Sequence, residues 1–446
     1  MRILLPQKVN RIIHTLQEHG FEAYAVGGCV RDSILGRIPQ DWDITTSAAP
    51  EETKSLFSRT VDTGIEHGTV TVLLDGEGFE VTTYRVDGEY RDCRHPKKVT
   101  FTRSLSEDLK RRDFTINAMA YNETAGLVDL FEGERDLEKG VIRCVGCAKE
   151  RFGEDALRIL RAVRFAAQLG FTVEEETKDA VRELAGNLSK ISAERIQAEL
   201  VKLLVSPHPE QIREAYELGI TRIILPEFDR MMETAQETPH HMYSVGEHTV
   251  RVMCHVRPEK ILRLAALLHD TGKPDTKTVD QKGVAHFTGH ALKSEELTRK
   301  ILRRLKFDND TLRRTACLVR HHDDYYKTAA TPETVRRTMH AVGKKLFPYY
   351  IELKQADILG QSEYRRAEKL ANLEQIRQYD QEIRKRGDCI SLKELAVSGA
   401  DLLEAGIPAG KQIGASLNWL LEQVLTDPQK NEKQILLKLL KDRMKK

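Results

Sequence analysis

The stretch AVGGCVRDSILGRIPQDWDITT, residues 25–46, decides how this chain is read. A β-rich run from Ala23 to Val26 ends in Gly27-Gly28, and a short helix carrying Arg31 and Asp32 is expected to follow. Glycines at a strand-to-helix turn let backbone approach a phosphate closely, and the helix N-terminus adds positive potential. Asp41-Trp42-Asp43-Ile44 comes next. At a strand's period of two, Asp41 and Asp43 project from one face, Trp42 and Ile44 from the other. Two adjacent carboxylates repel each other in the absence of a cation. Mg²⁺ ions would remove that repulsion, one to activate an attacking hydroxyl and one to hold a triphosphate. An amphipathic edge strand with two solvated aspartates would show the same DxD alone, but the adjoining GG and RD favour the catalytic reading. Glu80, in FEVTT, is either a third acidic group or an ordinary exposed strand carboxylate.

Outward from this segment, AYAV (23–26), DWDITT (41–46), TVTVLL (69–74) and FEVTTYRV (79–86) read as strands through their Val, Thr and aromatic content. From about residue 150 onward, apolar positions recur at three- and four-residue spacing, as in EDALRILRAVRFAAQLG (154–170), AERIQAELVKLL (193–204), EKILRLAALLHD (259–270) and SEELTRKILRRLKF (294–307). Thr331-Pro332-Glu333 reads as a helix start, with Thr as cap and Pro at the first position. The expected fold class is α+β, a mixed head followed by an all-α body. A chain of 446 residues implies several domains, each of roughly 100–200 residues.

Composition narrows the class further. Forty per cent apolar residues is enough to bury cores, and no apolar run reaches the ~18 residues of a membrane span. The amphipathic start without a small-residue cleavage site argues against a signal peptide, so a soluble cytoplasmic enzyme with no membrane partner is expected. The net charge of +2 does not by itself indicate nucleic acid. Clusters such as Lys110-Arg111-Arg112 and Arg303-Arg304 either line a phosphate-binding face or are solvated helix faces. Seven scattered cysteines, with Cys144 and Cys147 as the one CxxC pair, read as reduced thiols rather than a zinc site.

Two further segments carry chemistry. In LKRRDFTINAMAYN (109–122), the planar fork of Arg112 suits ribose or phosphate oxygens, and Asp113 and Asn117 suit either the site or the capping of the next helix. A helix expected from Glu154 would put Asp155, Arg158, Arg161 and Arg164 on one face. Alone, that pattern is also what a surface helix with ion pairs would show.

Together, residues 23–46, 109–122 and 154–165 resemble the polymerase-beta-type nucleotidyltransferases, and more narrowly the bacterial tRNA nucleotidyltransferase and poly(A) polymerase family. The resemblance implies a head holding Mg²⁺ on Asp41 and Asp43, with Gly27, Gly28, Arg31 and Arg112 at the nucleotide. It also implies that the EDxxR segment acts as an amino-acid template. A carboxylate accepts from the exocyclic amino group of cytosine or adenine, whereas uracil and guanine offer a carbonyl oxygen there. Asp155 with Arg158 would thus admit CTP and ATP, and Arg161 and Arg164 would serve the triphosphate and the helix's position. YRVDGEYRDCRHPKKVTF (84–101) is similar to the family's flexible loop, and LAVSGADLLEAGIPAGKQIG (395–414) to its tRNA-elbow-binding tail. One departure is Asp129-Leu130-Phe131-Glu132-Gly133, where the family has Pro and a small residue at the second and fourth positions; a changed turn is expected.

The body carries His248, His269-Asp270, His290, His321-His322 and Asp357. This order resembles the HD phosphohydrolase superfamily, which implies a divalent metal on His248, His269, Asp270 and Asp357, with His290 and His322 as extra ligands of a two-metal site. No sequence signal separates His322 from His321. The whole is expected as a nucleotidyltransferase head (1–140), a nucleotide-selecting neck (141–206), an HD-containing body (207–389) and a tRNA-binding tail (390–446). The expected activity is stepwise CCA addition to tRNA, contacting acceptor and elbow. The alternatives are a poly(A) polymerase or A-only adding enzyme, or an HD phosphohydrolase with an inactive head.

Overall fold

The computed structural model describes residues 2–88, 99–238, 242–324 and 329–444. They form two compact units, Met1–Asp229 and Arg230–Lys446.

The first unit opens with helix α1 (Gln7–Glu18), whose Val9, Ile12, Ile13 and Leu16 are fully buried. That spacing is one face of a helix, and each such side chain contributes roughly 1.5–3 kcal/mol. Strands β1 (Ala23–Val26), β2 (Ile44–Thr46), β3 (Thr60–Gly64), β4 (Thr69–Leu74), β5 (Glu77–Thr83), β6 (Arg85–Asp87), β7 (Val99–Phe101), β8 (Met119–Asn122) and β9 (Gly126–Asp129) follow, with helix α2 (Gly28–Ile34) after β1. Seven of them form one sheet in the order β3-β4-β5-β2-β1-β8-β9. β1 is antiparallel to β2 and β8, and β2 runs parallel to β5.

Three expectations change in detail. DWDITT is a strand only over Ile44–Thr46, so Asp41 and Asp43 lie just before it. Asp43 still joins the sheet through its carbonyl, which accepts from Val26 N at 3.0 Å. The loop expected over 84–101 has paired legs, β6 and β7, while 89–98 lie outside the described residues. At the departure from the family turn, Asp129 accepts backbone N–H bonds from Phe131 (3.3 Å), Gly133 (2.8 Å) and Glu134 (2.9 Å). Glu132 there adopts φ +59°, the left-handed region a glycine enters without penalty, at a cost of about 1–2 kcal/mol.

Beyond the sheet lie a helix over Ala148–Glu154, then α3 (Leu157–Leu169) and α4 (Ala193–Leu204), the last two packed together. In the second unit the helices are α5 (Val245–His255), α6 (Lys260–Leu268), α7 (His290–Arg304), α8 (Asn309–His321), α9 (Phe347–Gly360) and α10 (Arg366–Arg386). Every residue of α6 from Ile261 to Leu268 is buried, so this helix is the centre of the unit and carries His269-Asp270 at its end. The helix Pro332–Val342 begins as expected, Thr331 Oγ1 accepting from Thr334 N at 3.2 Å. The body is not purely helical: Val141–Ile142 pairs with Thr172–Val173, and Thr278–Val279 with Ala285–His286. Among the described residues no helix is long and apolar enough to cross a membrane.

Candidate active site and metal centre

The glycine turn is built around Arg112. Gly27 has φ +83° and ψ −129°, a conformation open in effect to glycine alone. A Cβ there would lie 3.0 Å from Arg112 Nη1, so the guanidinium sits directly over the turn. Arg112 Nε is buried and has no hydrogen-bond partner among the described residues. Fully buried Asp108 anchors this corner, accepting from Arg111 Nε at 2.9 Å and Nη2 at 2.7 Å. Asp41 and Asp43 are both exposed. Surrounding atoms nevertheless strip enough hydration from Asp43 to raise its carboxyl above the usual value; Arg112 opposes this and the charge of Asp41 adds to it. Glu80 is exposed on β5, and the register aligning Ile44 with Val81 carries it level with Asp43.

Arg31 is placed differently from its expected role at the nucleotide. It is buried beneath the turn, held by Asp32 at 2.8 Å and by Asn117 Oδ1 at 2.7 Å. Asn117 in turn donates to Asp113 Oδ1 at 3.2 Å, and Asp113 Oδ2 takes Arg161 Nη2 at 2.6 Å. Burial alone would raise the Asp113 carboxyl, but Arg161 and Arg158 outweigh it and hold it well below the usual range. Asp113 and Asn117 thus link the head to α3.

The EDxxR segment differs from the helix expected of it. No continuous helix runs from Glu154: the helix Ala148–Glu154 stops, and Asp155 is extended at φ −134°, ψ 103°. Asp155 caps α3 instead, its Oδ1 accepting from Leu157 N at 3.0 Å. It competes locally for the backbone, as aspartates do at helix starts. Asp155 therefore shares no helix face with Arg158. Arg195 of α4 grips the same carboxylate, Nη1 at 3.3 Å and Nη2 at 2.7 Å. Arg158 is braced by Glu154 Oε2 (2.7 Å) and the Arg111 carbonyl (2.9 Å). Arg164 is 5% exposed and bound to Glu199 Oε2 at 2.7 Å. Phe165 sits among three guanidinium groups, with Arg31, Arg161 and Arg164 at 5.1, 5.3 and 3.4 Å from its centroid.

Sequence reasoning missed Arg195, Glu199, Asp108 and Phe165. The available signal was in AERIQAEL, where opposite charges four residues apart interrupt an otherwise apolar face.

In the second unit, His248, His269, Asp270, His290, His322 and Asp357 converge. Each imidazole Nδ1 lies within hydrogen-bond distance of a backbone carbonyl: His248 on Gly360 (3.2 Å), His269 on Ala266 (2.7 Å), His290 on Phe287 (2.8 Å) and His322 on Val319 (2.7 Å). A carbonyl can only accept, so Nδ1 carries the proton in each ring and Nε2 is the nitrogen turned toward the cluster. The Nε2 atoms face each other, His248–His269 at 3.4 Å and His290–His322 at 3.2 Å. Two lone pairs opposed at that distance repel unless a cation or proton intervenes. Asp270 bridges the pairs, Oδ2 lying 3.2 Å from His269 and Oδ1 3.5 Å from both His290 and His322. Lys273 Nζ lies 2.7 Å from Asp270 Oδ2. Asp357 Oδ1 is 3.0 Å from His248 Nε2. Gly360 permits the close approach: a Cβ there would lie 3.3 Å from the His248 ring. His321 turns away to Asp324 at 2.7 Å, whereas His322 faces His290 in the cluster. The donor set of imidazoles and carboxylates suits a divalent transition metal or Mg²⁺. A cavity of about 970 Å³ opens onto the cluster, with Lys273 and Lys354 in its wall. Cys144 and Cys147 are both free thiols, the first buried and the second exposed.

Comparison with known proteins places these parts. Residues 23–143 match the Poly A polymerase head domain, 170–232 the probable RNA and SrmB-binding site of polymerase A, and 280–440 the tRNA nucleotidyltransferase domain 2. A CCA-adding enzyme of Lactiplantibacillus plantarum is 57% identical over 203 residues, which is 46% of this chain and about half (50%) of that relative's length. The CCA-adding enzyme of Levilactobacillus brevis is 38% identical over 435 residues, 97% of this chain and 96% of the relative. The crystal structure of the Bacillus stearothermophilus CCA-adding enzyme in complex with CTP superposes with a TM-score of 0.75 at 30% identity, covering 99% of this chain and 98% of that one. Identity sustained over nearly the full length of both chains, on a shared fold, makes this protein a member of the CCA-adding enzyme family.

Proposed function

We propose that this chain adds C, C and A stepwise to the 3′ end of tRNA from CTP and ATP, without a nucleic-acid template. One observation carries the reading: a single carboxylate, Asp155, stands at a helix junction beside the head with its orientation set by three hydrogen bonds, one from Leu157 N and two from Arg195. Such a group reads an exocyclic amino group and turns away a carbonyl oxygen. Arg158, braced by Glu154, would donate to the ring acceptor beside it. Asp41 and Asp43 would hold Mg²⁺, which supplies Lewis-acid charge at the attacking hydroxyl and the triphosphate. A cation there would offset the lost hydration that raises the Asp43 carboxyl, together with the smaller repulsion from Asp41. Arg112, poised over Gly27 with Nε unpartnered, binds a phosphate oxygen. On this reading residues 1–140 do the chemistry, 141–206 choose the base, 207–389 carry the second metal centre, and 390–446 hold the tRNA elbow, in the cytoplasm.

The test uses tRNA transcripts ending at the discriminator base, at C and at CC, each given CTP, ATP or both. All three should grow to CCA and stop. Addition of one A to the CC-ended transcript alone would mean an A-only adder, and long A tails a poly(A) polymerase. Asp41→Ala or Asp43→Ala should abolish transfer.

The converging imidazoles favour a second activity, metal-dependent hydrolysis of phosphate esters in the unit Arg230–Lys446. His248, His269, Asp270 and Asp357, with His290 and His322, would hold the ions, which supply activation of water. Lys273 and Lys354 in the cavity wall would bind phosphate charge. Terminal or 2′,3′-cyclic phosphates on damaged tRNA ends are the proposed substrates. Release of phosphate from terminal phosphates, or opening of cyclic phosphates to monoesters, that chelation does not affect would refute this reading.

A further inference from the structure

The cavity beside the imidazole cluster is larger than one phosphate ester needs. At about 970 Å³ it lies at the top of the range, about 300–1,000 Å³, of pockets that enclose a drug-sized ligand. One end is the cluster. The other is the junction of α9 and α10, and it is basic: Lys354 of α9, with Arg365 and Lys369 around the start of α10, lines the wall there. Carboxylates offset two cations of the cavity. Asp270 meets Lys273, and Glu368 Oε2 lies 2.6 Å from Arg365 Nε. Lys354 and Lys369 donate to neutral oxygens, the first to the His322 carbonyl at 3.0 Å and the second to Gln361 Oε1 at 2.6 Å.

The Gln361 side chain sets the spacing. Its Nε2 donates to both oxygens of Asp357 at 3.1 Å, while its Oε1 accepts from Lys369. A whole amide therefore stands between a carboxylate of the cluster and the ammonium. That gap is on the scale of one nucleotide along a strand, and wider than the step between adjacent phosphates in a diphosphate. Lost hydration pulls the Lys369 ammonium below its ordinary value; Asp357 opposes this, and the like charges of Arg365, Lys354 and Arg366 add to it. An anion among these groups offsets both effects. The 21-residue helix α10 begins at the same place, with the positive end of its dipole.

We propose that Lys369, with Lys354, forms a second phosphate site, which takes the internucleotide phosphodiester one residue in from an RNA 3′ end whose terminal phosphate lies on the imidazole cluster. The inference rests on reading that cluster as a phosphohydrolase centre. It makes the substrate a polynucleotide end rather than a free mononucleotide.

The test uses the full chain and two ligands, cytidine 3′-phosphate (Cp) and the dinucleotide CpCp, which adds one phosphodiester. Affinity is measured by calorimetry on chelator-treated protein over a range of salt, and KM and kcat for phosphate release are measured with Mn²⁺. Wild type should favour CpCp over Cp at least tenfold in both Kd and KM. Lys369→Ala and Lys369→Gln should bring that ratio close to one by weakening CpCp. They should also reduce the salt slope of CpCp binding by about 0.7, the value of one single-strand phosphate contact. Equal handling of Cp and CpCp by wild type, or variants that weaken both alike, would overturn the proposal. Cytidine diphosphate should show no Lys369-dependent gain over the monophosphate; a gain matching that of CpCp would overturn the one-nucleotide spacing. If Lys369→Ala does not fold, as read by thermal melting, Lys369→Gln decides in its place. If neither ligand releases phosphate, the hydrolytic reading falls and the metal-free affinities decide the subsite alone. A CpCp advantage abolished in the variants then upholds it, and an advantage they leave intact overturns it.

Discussion

The Arg164–Glu199 pair permits a quantitative prediction. Both side chains are sealed from solvent, 6% and 5% exposed, with Nε and Oε2 2.7 Å apart. Burial pulls the Arg164 guanidinium down to about 10 even with Glu199 beside it. Removing one partner of a buried pair leaves an uncompensated charge and costs about 3–5 kcal/mol. Glu199→Gln keeps a neutral acceptor, so the lower end, about 3 kcal/mol, is expected. For a unit the size of Met1–Asp229, each kcal/mol shifts Tm by about 2–4 °C, giving a fall of about 6–12 °C. Arg164→Met should be milder, about 2 kcal/mol, because Lys202 Nζ lies 3.7 Å from Glu199 Oε1 and remains. The double variant removes both charges and should lose less than the sum, a coupling of about 2 kcal/mol. Half-inactivation temperature of nucleotidyl transfer reports this unit specifically. Strict additivity of the two single losses, or a Glu199→Gln enzyme as stable as wild type, would refute the reasoning.

Three further outcomes are expected. Glu132→Gly removes a left-handed non-glycine residue and should stabilise the first unit by about 1 kcal/mol in urea titration, the exposed Glu132–Arg135 pair contributing little. Asp113 is held well below the usual carboxylate range, so its stabilisation is complete above its unfolded value of about 3.9 and is lost as pH falls toward the folded one. Asp113→Asn should therefore lower Tm at pH 7, with the difference from wild type shrinking below about pH 4. Mn²⁺ added to chelator-treated protein should raise the melting of the second unit, by about 2.7 kcal/mol at a hundredfold excess over Kd, and His269→Ala should abolish that rise.

Much of this was legible because the residues concerned act locally. The glycine turn, the strand runs AYAV and TVTVLL and the Thr331 cap are short-range signals, and each lies where the pattern implied. The helix break at Asp155 was hidden because EDALRIL has sound helical spacing, and only the aspartate's competition for Leu157 N interrupts it. Arg195 lies 40 residues from its partner in the chain, and no periodicity links them. Arg31 and Arg164 are assigned through the family resemblance, and the partners that bury them, Asn117 and Glu199, are supplied only by tertiary packing.

The imidazole cluster has a consequence for how it assembles. His269, His290 and His322 each fold Nδ1 back onto the carbonyl three residues upstream. Their aim is thus written within a single turn of chain at the ends of α6, α7 and α8, before those helices meet. His248 alone is steered from afar, by the Gly360 carbonyl 112 residues later. Three of the cluster's four imidazoles are thus aimed locally, and the docking of α9 against α5 supplies the contact that aims the fourth. A lesion at that one junction would leave a well-folded unit with an unfinished centre, whereas drift in the side chains of Ala266, Phe287 or Val319 leaves the guiding carbonyls in place.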